Sequence, residues 1–183
     1  MVETQPTVGQ DHLATDVGLV VALDLANLAL EHGGASELRS MFAAAPISVD
    51  SLSDGQAEQL LDLAGQLLRI VRLLADDGSD GVDRAAPLVN QLLERNPAQL
   101  HLTAGPDGWT LHHHRSDAPL VSAWSAVVAA ALARVIGDRR TPRVGSCPAS
   151  NCGRFYYDQS KNRPQFEAGH EPTLGVRRSP MTR

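Results

Sequence analysis

Residues 51–78, SLSDGQAEQLLDLAGQLLRIVRLLADDG, carry a start signal, an apolar stripe and a stop signal of their own. Ser53-Asp54-Gly55-Gln56 has the form of a capping box, in which the serine hydroxyl accepts from a backbone N–H three residues on and the glutamine reaches back. Leu52 can act as a staple against Ala57. Leu60, Leu61, Ala64, Leu67, Leu68, Val71 and Leu74 then recur at three- and four-residue steps, which puts them on one helical face. Asp76-Asp77-Gly78 closes the pattern. A long helix with one apolar stripe has to be covered by other elements, so the flanks decide the fold.

Upstream, Val17–Glu31 is apolar on most faces (Leu19, Val20, Val21, Leu23, Leu25, Leu28, Leu30) and ends at Gly33-Gly34. It reads as a buried helix, or as one entered through a short strand, since periodicity does not separate the two here. Ser36–Ala45 reads as a short helix ended by Pro46. Downstream, Pro87–Arg95 reads as a helix that begins at its proline and stops at Asn96-Pro97. Leu100–Thr103 and Trp109–His113 flank Ala104-Gly105-Pro106-Asp107-Gly108, the pattern of a β-hairpin. Asp117 is then expected to cap a long helix with Pro119 in its first turn. Its stripe is Leu120, Val121, Trp124, Val127, Val128, Ala131, Leu132, Val135 and Ile136, and Gly137 suits the position just past its end. The expected fold class is therefore α+β: a mainly helical domain with a β-hairpin over residues 17–138, then a small basic module over 143–183.

Composition narrows the function. With 43% hydrophobic and 20% charged residues in 183, the chain can build a core, and aromatics at 4% leave Leu, Val and Ala to fill it. No apolar run is read as approaching the roughly 18–20 residues of a membrane span. Residues 1–16 are polar and acidic, unlike a signal peptide, so a cytoplasmic protein is expected, with no membrane partner. The net charge of −5 divides unevenly. Residues 1–138 carry 7 basic and 18 acidic side chains, net −11, and residues 139–183 carry 9 and 3, net +6. A basic tail on an acidic body fits a polyanion partner or a merely solubilising end equally well. No Gly-rich phosphate loop, nucleophile elbow or paired-carboxylate motif is present, so no enzyme is expected.

Two clusters could carry chemistry. Cys147-Pro148-Ala149-Ser150-Asn151-Cys152-Gly153 holds the only two cysteines. Two thiolates on a tight loop can grip one edge of a tetrahedral zinc ion, and Gly153 lets the chain turn beneath it. The other cluster is His112-His113-His114. On a strand, His112 and His114 share a side and could form a two-ligand pair. The plainer reading, a polar hairpin face packed beside the Asp117 cap, is preferred because no further ligand lies nearby in sequence. Asp24 and Asn27 are read as capping or hydrogen-bonding inside the fold.

After Cys152-Gly153 come an aromatic run, Arg154-Phe155-Tyr156-Tyr157, then Asp158-Gln159-Ser160 and the basic turn Lys161-Asn162-Arg163. This order resembles the first half of the CGNR zinc finger of bacterial regulators. Leu23-Asp24-Leu25-Ala26-Asn27 and Leu88-Val89-Asn90-Gln91-Leu92-Leu93 are similar to elements of the stress-induced transcription-regulator (ABATE-type) domain that precedes that finger. The resemblance spans roughly residues 18–166. It implies a DNA-binding regulator whose body senses an effector or pairs as a homodimer. It also implies zinc on Cys147 and Cys152. For a DNA contact, Arg154, Lys161 and Arg163 are the candidate phosphate partners, joined by Arg177 and Arg178 where the tail is ordered.

The chain departs from the family pattern after Phe166. Glu167-Ala168-Gly169-His170-Glu171 holds neither cysteine of the expected second pair, and the break resembles a change of reading frame. His170, with Glu167 or Glu171, could substitute as a ligand. Otherwise zinc is bound weakly or not at all, because a complete structural site contributes on the order of 10–16 kcal/mol and half a site far less. The alternative function is a ligand- or metal-sensing module on the His112/His114 hairpin, with the finger purely structural.

Overall fold

The computed structural model describes residues 14–44, 52–76, 78–105 and 108–159. Its long helices are α1 (Ala14–Leu30), α3 (Asp54–Asp76), α4 (Gly78–Arg95) and α5 (Leu120–Gly137), with a shorter α2 (Ala35–Ala44). Strands β1 (His101–Gly105) and β2 (Gly108–His112) form one antiparallel hairpin, and β3 (Val144–Ser146) and β4 (Phe155–Tyr157) form a second. The fold is α+β and mostly helical, as expected.

α3 begins as its sequence dictates. The Ser53 backbone N–H donates to Gln56 Oε1 at 3.0 Å, and the Gln56 N–H donates to Ser53 Oγ at 3.2 Å. Leu52 and Ala57, the proposed staple, are both buried. From this fixed start the helix buries Leu60, Leu63, Ala64, Leu67, Ile70, Val71, Leu73 and Leu74. That face is wider than the predicted stripe, with Leu61 and Leu68 at its margins. It needs the width because α1 covers one flank and α4 the other. α5 closes the arrangement by packing on both α1 and α4, so the four long helices surround one core. α1 and α5 approach closely at Gly18, where an added Cβ would lie 2.9 Å from the Val127 carbonyl oxygen. α2 packs on α3 and sets Phe42 edge-on against Trp124 of α5, ring centroids 5.7 Å apart.

Four expectations are corrected. α4 starts nine residues before the predicted Pro87 and carries that proline within it. Its first half, Gly78–Ala86, buries Ala85 and half-buries Val82, too sparse a pattern to read as a stripe. Asp117 does not cap α5: Pro119 occupies the cap position without a side-chain bond, and the Asp117 carboxylate is held by Arg115 at 2.6 and 2.9 Å. Gly137 is the last residue of α5 rather than the left-handed residue beyond it. That role falls to Arg139, with φ of 56°. Finally, α5 itself is an apolar run of 18 residues with mean hydropathy 1.8, long and apolar enough by length and composition to cross a membrane. Here it is a core helix, with Trp124, Val128, Leu132 and Val135 buried.

α1 and α5 end in the same way. Beyond α5, the Arg140 N–H bonds the Val135 carbonyl at 2.8 Å and the Arg139 N–H bonds Ile136 at 3.1 Å. Beyond α1, Gly33 bonds Leu28 at 2.9 Å and His32 bonds Ala29 at 3.2 Å, with His32 at φ of 56°. Both are Schellman endings with a side-chain-bearing residue where glycine is usual.

Candidate functional site

β3 and β4 pair as Val144↔Tyr157, Gly145↔Tyr156 and Ser146↔Phe155. The Cys147 N–H extends this ladder by donating to the Arg154 carbonyl at 2.8 Å. The loop beyond it is closed by the Cys152 N–H on the Ala149 carbonyl at 3.0 Å and reversed at Gly153, which has φ of 64°. Cys147 and Cys152 therefore sit at the two ends of one short loop, both as free thiols, Cys147 half-buried and Cys152 exposed. Next to the loop, burial raises the Tyr156 phenol above its ordinary pKa, and the charges of Asp158 and Cys147 push it the same way.

The hairpin is seated on α1 and α3. Val144 and Phe155 are buried in the same core as the helices. The side chain of Asn27, itself fully buried, receives the Phe155 N–H on Oδ1 at 2.7 Å and donates from Nδ2 to the Phe155 carbonyl at 3.0 Å. An amide thus replaces a third strand, satisfying the edge of β4 from a helix. Arg154, expected to meet DNA, lies across α1 with its guanidinium 2.6 Å from Glu31 Oε1. A phosphate contact from Arg154 would compete with that pair. Asp24, two turns before Glu31 on α1, has its carboxyl pKa raised by burial against an opposing pull from Arg154. Ser146 Oγ donates to Asp76 Oδ1 at 3.2 Å, tying β3 to the end of α3. Lys161, Arg163, His170, Arg177 and Arg178 lie outside the described residues. Among the described residues, no three His, Cys, Asp or Glu side chains converge on one metal position.

The histidine run is divided by the pleat of the first hairpin. Register pairs His101 with His112 and Leu102 with Leu111, so the two faces differ sharply in character. Leu100, Leu102, Trp109 and Leu111 are exposed on one. On the other, His101 and His112 stack at 5.0 Å between centroids, and His114 meets them edge-on at 5.5 and 5.3 Å. His113 alone turns into the body, 8% exposed. Its pKa is lowered by burial, with Arg134 adding to the effect. The expected Asp117 cap beside the imidazoles is absent, because Arg115 holds Asp117. Sequence reasoning missed His101 as the third ring. What brings it there is the strand register, which pairs Gly105 with Gly108 and so sets residue 101 opposite 112.

A cleft of about 350 Å³ opens between α3, α4 and the start of α5, lined by Gln56, Gln59, Gln66, Arg95, Ser122 and Ser125 among others. No protein-family model matches the chain, and no curated protein matches it.

Proposed function

We propose that the protein is a DNA-binding regulator in which the β3–β4 hairpin anchors a basic C-terminal segment to an acidic helical body. The observation that supports this most is the placement of the charge. The chain from 139 onward is net +6, half of it past Gln159, beyond the hairpin, and that hairpin is fixed to the body by Asn27, Glu31 and Asp76. A polyanion binds such a segment chiefly by releasing counterions from its phosphates. The Cys147/Cys152 loop agrees with the resemblance to the CGNR finger: it offers two thiolates for zinc, and its missing second pair makes that site weak. Lys161, Arg163, Arg177 and Arg178 are the phosphate contacts in this reading. Arg154 serves first as the ion-pair partner of Glu31. With no complete finger to present a rigid reading surface, binding is electrostatic and largely independent of sequence. Shortening the chain after Gln159 tests the proposal. Fluorescence anisotropy on a random duplex should show binding by the full chain and its loss in the shortened one. Equal binding by both would refute it.

A further inference from the structure

We infer that His101, His112 and His114 form a trihistidine site for a first-row divalent transition metal such as zinc, separate from the cysteine loop. The three ring centroids stand 5.0, 5.3 and 5.5 Å apart, a nearly equilateral triangle. Three imidazoles on one tetrahedral ion, each at a Zn–N distance of about 2.0–2.1 Å, place their centroids about 5 Å apart. Strand register sets His101 opposite His112 on this face, and His114, two residues on, closes the triangle.

The hydrogen bonds around the rings are those of metal ligands in waiting. His114 Nδ1 lies 2.7 Å from the Arg115 carbonyl oxygen, which can only accept, so Nδ1 carries the proton and Nε2 carries the lone pair. That Nε2 is buried and has no hydrogen-bond partner among the described residues, and the same holds for His101 Nδ1. A ring that donates one N–H to a backbone carbonyl and leaves the other nitrogen bare has the tautomer of a metal-bound histidine. His112 is fixed at 2.8 Å from Thr103 Oγ1 through Nε2, which leaves its Nδ1 for the ion. The bare nitrogens of the three rings do not meet at one point as the rings stand. Rotation about each Cβ–Cγ bond re-aims the nitrogens and leaves the centroids almost where they are, so the triangle has the spacing the ion needs once the rings turn. For His112 and His114 that turn exchanges the bonds to Thr103 and Arg115 for metal–nitrogen bonds. Three neutral nitrogen ligands suit zinc, cobalt or nickel and leave a fourth position open to water or a small ligand.

The inference is independent of the DNA reading, and the cysteines provide the control. In a full-length Cys147→Ser/Cys152→Ser variant, calorimetry with zinc alone should show about one equivalent bound. His101→Gln and His114→Gln should each weaken that binding at least tenfold. Cobalt bound to the same variant should give a visible ligand-field spectrum without sulfur charge-transfer bands. In the unaltered chain, substoichiometric cobalt should broaden the ring resonances of His101, His112 and His114 before those of His32. That measurement needs no substituted protein to fold. Absent binding in the serine variant, zinc affinity unchanged by both histidine substitutions, or broadening with no preference for the three rings would each overturn the inference.

Discussion

The side-chain amide of Asn27 makes both backbone hydrogen bonds of Phe155, at 2.7 and 3.0 Å, across 128 residues of chain. Each bond is buried, and together they join the helical body to the hairpin that carries Cys147 and Cys152. Leaving a buried backbone group unpaired costs about 1–3 kcal/mol. Asn27→Ala should therefore destabilise the protein by about 2–4 kcal/mol, read as a lower urea midpoint. Asn27→Asp keeps the acceptor for the Phe155 N–H and loses the donor to its carbonyl, and it adds a buried charge. It should fall below wild type as well, whereas a neutral effect of Asn27→Ala would mean that the hairpin is not seated as described.

A chain ending at Gly137 tests the same seat from the other side. It keeps the stripes of all four long helices and should fold. It also loses Val144 and Phe155 from the core and strands the Asn27 amide. Its midpoint should drop by at least as much as that of Asn27→Ala. A midpoint equal to that of the full chain would show that the hairpin contributes nothing to the body.

The two Schellman endings offer a gain in stability. His32 and Arg139 both occupy the left-handed region, at φ of 56°. That conformation costs a residue with a side chain roughly 1–2 kcal/mol, part of which glycine gives back through the entropy of its unfolded chain. His32→Gly and Arg139→Gly should each raise stability by up to about 1 kcal/mol. Thermal melts of the two variants and the double variant check this, and their effects should add, because the sites share no partner.

Protonation should destabilise the fold near the ordinary imidazole pKa. His113 and His112 are both held below that value, each first by burial, then by nearby positive charge. A histidine with a lowered folded pKa binds fewer protons folded than unfolded. Its contribution is thus complete above the unfolded pKa of about 6.5 and is lost as pH falls through the folded value. Asp24, raised by burial, has the opposite sign: stability falls as pH rises from the ordinary carboxylate value through its folded one. The difference between wild type and His113→Gln isolates the histidine. Wild type should lose more stability than the variant between pH 7.5 and 5.5, and an identical loss would exclude His113 as a source.

Much of this architecture is legible in the sequence because local signals and burial agree. Ser53 and Gln56 form the capping box that their spacing predicts, and the stripe from Leu60 to Leu74 packs where its period puts it. The misses have physical causes. The first half of α4 is held by its neighbours rather than by an apolar stripe of its own, so Pro87 passed for its beginning. Asp117 had a nearer partner in Arg115 than the open N–H groups of α5. At the site, the cysteine spacing is visible in the sequence, and so is an internal hydrogen-bonding use for Asn27. Phe155 as its partner, Glu31 as the partner of Arg154, and His101 as the third ring are not visible, because each pair is made by tertiary contact or strand register rather than by local spacing.

The central claim, that the basic segment carries a nucleic-acid contact, is tested most directly by the salt dependence of binding. On duplex DNA the log–log slope of affinity against salt is about −0.9 for each phosphate neutralised. Fluorescence anisotropy with a random duplex should show a steep slope for the full chain. In a Lys161→Ala/Arg163→Ala variant that slope should be shallower by roughly two units, with affinity weakened alike on all sequences. A slope identical in the two proteins would contradict the account.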